Sequence, residues 1–439
     1  GYSYDLTGTI RVGGFGGIPT HRGVSYRSGM DRQYGSTTAA VLTRLPELVL
    51  PLTGWYVHDV EQKIAAIGTV TLDSEEAIQA ALTEVQKPEP FDCRGAILME
   101  AATGQVLYEQ NADEAMPPAS VTKIMTLLLV MEAIEAGSLK WDDSVTASTR
   151  ASSMGGSQIF LKEGEQMPVR DLVKSVVIAS ANDAALALAE AVSGSEEAFV
   201  RNMNQRAAEL GMKNTVFENT NGLDDTAKNH VTSARDIAIM SRELIRHKEI
   251  LTFSSTWMDT VRNGAFGLTN TNRLVRFYRG CNGLKTGSTA KAGFCVSATA
   301  ERDGMTLICV IMGAANRDTR NAAAASLLDW GFANYALYTC PAGNPTPVRV
   351  PGGIQPTVGV RHAAFSCVLP RADLSSVEKD IELPEAVPAP VKAGDTVGKL
   401  TFTCRGVTLG EVTITADADV GRIGFGGILR GLLARVFLI

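Results

Sequence analysis

Nothing in the 439-residue chain is long and apolar enough to cross a bilayer as a helix, which takes about 20 residues; LLLVMEAI is too short and runs into charge. An export signal is also not recognisable, because the best early apolar stretch, AAVLTRLPELVLPLTGWYV (39–57), is broken by Arg44, Pro46, Glu47 and Pro51. The chain opens on Gly rather than Met, so residue 1 need not be the natural start. Cysteine is sparse: Cys93, Cys281, Cys295, Cys309, Cys340, Cys367 and Cys404 stand singly, with no CxxC and no Cys/His grouping at zinc-ligand spacing. They read as single thiols in strands, and neither a metal nor a cofactor is expected. A basic excess is missing too. Lys and Arg number 41 against 47 Asp and Glu, for a net charge of -6, which gives nucleic acid no broad attraction and excludes it as an expected partner.

What is present is an ordinary globular composition, 45% hydrophobic and 20% charged, in a length that suits two or three domains. Residues 1 to about 37, rich in Gly, Arg, Ser and Tyr, show no helix or strand periodicity, and 1–88 as a whole reads as an atypical leader, disordered or foreign to the rest. Within it RVGGFGGI lacks the strand and long helix that a phosphate-binding loop needs, and DSEEAIQAALTEVQ (73–86) predicts a short helix with Asp73 and Glu76 in capping-box positions. Residues 89–340 change texture. GAILMEAATGQVLYEQ predicts a hairpin turning at Thr103-Gly104; helices follow through PPASVTKIMTLLLVMEAI, VRDLVKSVVIASANDAALALAEAV, SEEAFVRNMNQRAAELG and TSARDIAIMSRELIRH. Strands return in GLKTG, GFCVSATA and MTLICVIMG before a last helix in RNAAAASLLDWGFANYA. That order predicts an α+β domain, an antiparallel sheet flanked by helices. After the linker CPAGNPTPV, residues 345–418 alternate apolar and polar and predict a small all-β domain. The tail 421–439 places Phe425, Ile428, Leu429, Leu432, Leu433 and Val436 on one side of a helix, with Arg430 and Arg435 on its borders. That pattern suits a helix lying in a membrane interface, with docking on the protein's own core as the plainer alternative.

The chemistry is concentrated in three short motifs. Ser-x-x-Lys occurs three times, at Ser120/Lys123, Ser288/Lys291 and Ser376/Lys379, so it signifies little alone. The first copy differs by following Pro117-Pro118 at a helix start, where free N–H groups favour developing negative charge. One turn puts serine and lysine on the same face. A serine needs a base, and a lysine serves as one only when burial or a neighbouring cation lowers its pKa. Lys285 in GLKTGS offers that cation, and Gly287 lets a substrate approach the strand backbone. Between them ASAND sets Ser180 and Asn182 at a turn between helices, the hydroxyl able to pass a proton and the amide to hold a carbonyl.

The order SxxK, SxN, KTG is that of the penicillin-recognising serine enzymes. Residues 94 to about 338, through AILMEAATGQVLYEQNADEAMPPASVTKIMT, MGGSQIFLKEGEQMPVRDLVKSVVIASANDAALALAE, NTNGLDD, TSARDIA and NGLKTGSTAKAGFCVSATAERDGM, resemble the serine-type D-alanyl-D-alanine carboxypeptidases, low-molecular-weight penicillin-binding proteins of the sporulation and vegetative type. The resemblance implies a β-lactamase/transpeptidase-like domain with a helical subdomain, a small β-rich C-terminal domain, a membrane-anchoring amphipathic helix at 421–439, and a place on the extracytoplasmic face of a bacterial membrane. It implies a peptidoglycan stem pentapeptide ending in D-Ala-D-Ala as substrate and β-lactams as inhibitors. Ser120 would be the nucleophile, Lys123 its base, and Ser180 the proton donor to the departing D-Ala. Asn182 would hold the substrate amide, Lys285 supply field, and Thr286 with Arg320 bind the terminal carboxylate, with Arg317 one turn earlier as a competitor. The oxyanion would rest on the N–H groups of Ser120 and Ser288, beside Gly287. Two rivals remain: a class A-like β-lactamase, for which Glu218 lies in roughly the right interval for a deacylating base, and a non-catalytic β-lactam-sensing or wall-binding protein.

Overall fold

The computed structural model describes residues 82–224 and 227–429, with short strands at Tyr2–Tyr4, Ile10–Val12 and Val24–Ser25. Those three strands pair antiparallel in a region where the sequence pattern predicts none. Of the helix predicted over 73–86, residues 82–86 are not helical and 73–81 lie outside the described residues, as does 430–439 of the predicted terminal helix. Two compact units are present, one comprising 85–340 and 366–374, the other 1–84, 341–365 and 375–439. The excursion 366–374 therefore belongs with the larger unit, although the sequence places it inside the small β-rich domain.

The larger unit is built on a five-stranded sheet. Its strands are β1 (Gly95–Glu100), β2 (Val106–Gln110), β3 (Cys281–Thr289), β4 (Gly293–Arg302) and β5 (Met305–Ala314), in the order β3-β4-β5-β1-β2. All neighbouring pairs are antiparallel. The hairpin and the three later strands predicted from sequence thus meet at β5 and β1, where Ile97 and Val310 lie directly opposite. Because side chains alternate across a strand, β5 feeds two cores: Ile308, Val310 and Met312 pack on one side, Leu307, Cys309 and Ile311 on the other. The second side is covered by the helix Arg317–Asn334, through Ala324, Leu327 and Leu328.

The first side is covered by helices. Chief among them is α1 (Lys123–Glu135), buried at Ile124, Met125, Leu127, Leu128, Val130 and Met131, so that it is wrapped by protein on nearly every face. Around it lie α2 (Val169–Ala179), α3 (Asn182–Ser193), α4 (Glu196–Glu209) and α5 (Ala234–Leu244). Truncating a side chain such as Leu128 here would cost about 2–5 kcal/mol, which keeps the Lys123 end of α1 fixed. Two small hairpins, Ser144–Thr146 with Gln166–Pro168 and Met258–Val261 with Phe266–Thr269, have no clear alternation in sequence and were not predicted.

In the smaller unit Val360–His362, Val377–Glu382, Thr396–Cys404 and Val407–Ala416 form a four-stranded antiparallel sheet. Phe402 and Phe365 stack there with ring centres 4.1 Å apart. Residues 425–429 are helical and leave Phe425, Ile428 and Leu429 exposed. Among the described residues no helix is long and apolar enough to cross a membrane.

Candidate active site

Ser120 sits in a single 3-10 turn, Ala119–Thr122, that runs directly into α1. The turn begins on strained backbone, with Ala119 at φ +49°. Two glycines make it possible. A Cβ on Gly222 would fall on the Ala119 carbonyl, and one on Gly287 would stand 2.7 Å from the Ser120 nitrogen and 2.9 Å from the Val121 nitrogen. The KTG strand and the Asn221-Gly222 loop therefore close on the serine from two directions with no side chain between.

Lys123, one turn on, is wholly buried and points its Nζ at Ser120 Oγ (2.7 Å), with Ser180 Oγ at 3.4 Å and the Asn221 carbonyl at 3.1 Å. Burial, and secondarily the positive charge of Lys285, hold its pKa well below the usual 10.5, while Asp183 pulls the other way. A lysine shifted in that direction is better able to serve as a proton acceptor.

Ser180 ends α2 in the left-handed conformation, φ +61°, and Ala181 is the extended residue from which α3 starts at Asn182. That turn brings the Ser180 hydroxyl to Lys123 on α1. Asn182 Nδ2 donates to the Gly155 carbonyl (2.7 Å) and its backbone nitrogen to that of Ser157 (2.7 Å). Its Oδ1 is buried without a partner. A buried acceptor left open is costly unless a ligand donor reaches it.

Lys285 and Thr286 are buried on β3. Lys285 Nζ donates to the Thr286 carbonyl (2.9 Å), and burial, with Arg320 nearby, lowers its pKa to about 7. Thr286 Oγ1 donates to Thr271 Oγ1 (2.8 Å). Ser288 is exposed, and pairs in register with Phe294. Arg320 lies on the first turn of the helix Arg317–Asn334 and is only 3% exposed, reaching the Cys295 carbonyl (3.3 Å) and Asn321 Oδ1 (2.9 Å). Burial, then Arg317, brings it down to about 10. Arg317 itself is exposed. Of the two candidate carboxylate ligands, Arg320 is thus the one whose charge is turned inward next to Lys285.

In the other two Ser-x-x-Lys copies the lysine is exposed. Lys291 is exposed at a turn, and Ser376 and Lys379 belong to the smaller unit. Glu218, the possible deacylating base of a β-lactamase, is exposed and spends its carboxylate on the Lys228 and Asn229 nitrogens (2.6 and 3.1 Å). Sequence reasoning missed three contributors. The Asn221 carbonyl acts through backbone, which sequence hides; the Asn-Gly pair at 221–222 was the available signal. His230, buried, accepts from the Glu218 nitrogen on Nδ1 (2.9 Å), so Nε2 carries the proton donated to Thr122 Oγ1 (2.7 Å). Asp183 accepts from the Ile159 and Leu161 nitrogens (3.2 and 2.9 Å).

Comparison with known proteins places this geometry. The D-alanyl-D-alanine carboxypeptidase family model matches residues 82–316, and that of the penicillin-binding protein 5 C-terminal domain matches 357–422. The chain is 41% identical over 341 residues to the D-alanyl-D-alanine carboxypeptidase DacF of Bacillus subtilis, covering 76% of this chain and 87% of that protein. The solved penicillin-binding protein 5 of Haemophilus influenzae aligns with TM-score 0.67 at 31% identity, over 77% of this chain and all of the other. Penicillin-binding protein D2 of Listeria monocytogenes, solved in an ampicillin-bound form, aligns with TM-score 0.52 at 34% identity over 56% of this chain and 100% of its own.

Proposed function

The chain belongs to the D-alanyl-D-alanine carboxypeptidase family of serine-type, penicillin-binding enzymes, and we infer from that premise that it trims peptidoglycan stem pentapeptides with Ser120 as nucleophile and Lys123 as base. The observation that carries this reading is the 2.7 Å contact between Lys123 Nζ and Ser120 Oγ, made by a fully buried lysine with a depressed pKa.

In the reaction, neutral Lys123 takes the Ser120 proton as Oγ attacks the carbonyl between the two D-alanines. The oxyanion lies against the backbone N–H groups of Ser120 and Ser288, a type of contact valued at about 2.7–4 kcal/mol. Collapse breaks the C–N bond, and the proton passes from Lys123 through Ser180 to the departing amine. Asn182 Oδ1 accepts from the substrate amide, and Thr286 with Arg320 holds its terminal carboxylate. Water then cleaves the acyl-enzyme, with Lys123 taking the water's proton and returning it to Ser120 Oγ as the ester bond breaks. A β-lactam enters the same path and leaves the serine acylated.

We assign residues 421–439 to a membrane interface on the extracytoplasmic face, supported by the apolar side of that segment and by exposed Phe425, Ile428 and Leu429. Loss of sedimentation with anionic vesicles on deleting 421–439 would support the assignment; unchanged sedimentation would refute it.

The central reading is tested with diacetyl-Lys-D-Ala-D-Ala, measuring free D-alanine from wild type and Ser120→Ala. Release by wild type alone is expected, together with labelling of wild type alone by fluorescent penicillin. Equal release by the variant would remove Ser120 from the mechanism. Rapid penicillin hydrolysis with no D-alanine release would favour the β-lactamase reading.

A further inference from the structure

Three basic side chains are buried together at this site: Lys123, Lys285 and Arg320 are 0%, 1% and 3% exposed. Burying like charges side by side is expensive unless something opposes them. A fully buried carboxylate lies nearby, Asp183, and no motif accounts for it. It sits on the first turn of α3, immediately after Asn182.

Apart from a bond to its own neighbour Ala184, its hydrogen bonds run to one segment. Asp183 Oδ2 accepts from the Leu161 nitrogen at 2.9 Å, both oxygens accept from the Ile159 nitrogen at 3.2 Å, and Oδ1 accepts from the Ala184 nitrogen at 2.9 Å. Asn182 grips the same segment at Gly155 and Ser157. One helical turn thus holds residues 155–161 at four places and fixes the wall beside the open Asn182 Oδ1. From outside, Arg262 donates to the Ile159 and Phe160 carbonyls while pairing with Glu165.

We propose that Asp183 is a positioning residue of the reaction, its carboxylate seating the 155–161 wall over Asn182 and standing as the buried counter-charge to Lys123. The inference rests on the catalytic roles given to Lys123 and Asn182 above. Two effects are separable. Seating the wall governs how well substrate is held, whereas the charge governs the pH at which Lys123 becomes a base. Lys123 faces Lys285 from the sheet and Asp183 from α3, while the 155–161 segment contributes no titratable side chain. Arg262 acts on the segment's outer carbonyls, and Glu165 already neutralises it.

The test is the pH profile of acylation by a chromogenic cephalosporin, for wild type, Asp183→Asn and Arg262→Gln, with D-alanine release from diacetyl-Lys-D-Ala-D-Ala measured in parallel. Asp183 raises the Lys123 pKa, so removing its charge lowers it. The acid limb of Asp183→Asn is therefore expected to move about 1 unit to lower pH, with a fall in rate at the plateau. Arg262→Gln, which loosens the wall without touching the buried charge, is expected to lower the plateau and leave the limb in place. Should Asp183→Asn not fold, Asp183→Ser keeps an acceptor at the helix start and reads the same loss of charge. A limb that stays put in the Asp183 variants, or one that moves equally in Arg262→Gln, overturns the proposal. Wild type that releases no D-alanine would instead overturn the catalytic reading beneath it.

Discussion

Gly287 and Ser120 touch through backbone alone: a single methyl on the glycine would lie 2.7 Å from the serine nitrogen. Gly287→Ala is expected to push the KTG strand off the nucleophile turn and lower kcat/KM for D-alanine release by about 10²-fold, the size of effect a misplacement near 1 Å produces. Circular dichroism should show an intact fold. Activity within a factor of two of wild type would mean the close approach has no catalytic consequence.

Replacing Lys123 with arginine keeps the positive charge and removes the ability to shed it, since guanidinium does not deprotonate in proteins. Lys123→Arg should lose about 10²–10⁴ in the rate of penicillin acylation. Stopped-flow measurement at pH 8.5 is decisive, because a merely electrostatic role for Lys123 would leave the variant active there.

Lys285 makes a stability prediction of unusual sign. Its folded pKa, about 7, lies below the unfolded value near 10.5, so across that window the unfolded chain binds the extra proton. Stability contributed at this residue rises with pH through the window. Lys285→Met should flatten the increase in urea midpoint between pH 7 and 9.5. The same variant relieves Lys123 of a neighbouring charge, and its residual acylation should show an acid limb displaced to higher pH.

His230 works in the opposite pH range. Burial brings it to about 4, against Glu218 and Asp224, which pull it up. The unfolded chain takes up its proton near pH 6.5 and the folded one only near 4, so stability is lost as pH falls between those values. The loss attributable to it is about 3 kcal/mol. Urea unfolding of wild type and His230→Gln at pH 7 and pH 4 should differ in slope by that amount. Parallel curves would exclude His230 as the titrating group.

Much of this was legible beforehand because it lies in periodic or contiguous sequence. The outer hairpin, α1 and the three strands after residue 280 each announce themselves by alternation or helical spacing, and Ser120, Lys123, Ser180, Asn182 and Lys285 stand in short motifs. The structure joins Lys123 to Ser120 and Ser180 by hydrogen bonds and buries Lys285 and Asn182, across separations as large as that between Ser120 and Lys285. What sequence did not disclose is carried by backbone or by long-range burial. The Asn221 carbonyl has no side-chain signature, Asp183 looks like an ordinary helix-start carboxylate, and His230 matters only because it bridges Glu218 and Thr122. The strand pairs Ser144–Thr146 with Gln166–Pro168 and Met258–Val261 with Phe266–Thr269 are pieces of three or four residues, too short to show a period in the sequence.

The cradle around the nucleophile is made of main chain: Ala119 in a left-handed bend, Gly222 beneath it and Gly287 alongside. On the proposed mechanism peptide and drug would meet the same main-chain atoms there, so selection for antibiotic tolerance would find little at the cradle with which to tell them apart. Variants that tell the two apart would have to arise at the margins, and the stretch 155–161 is where such an escape would have room to begin.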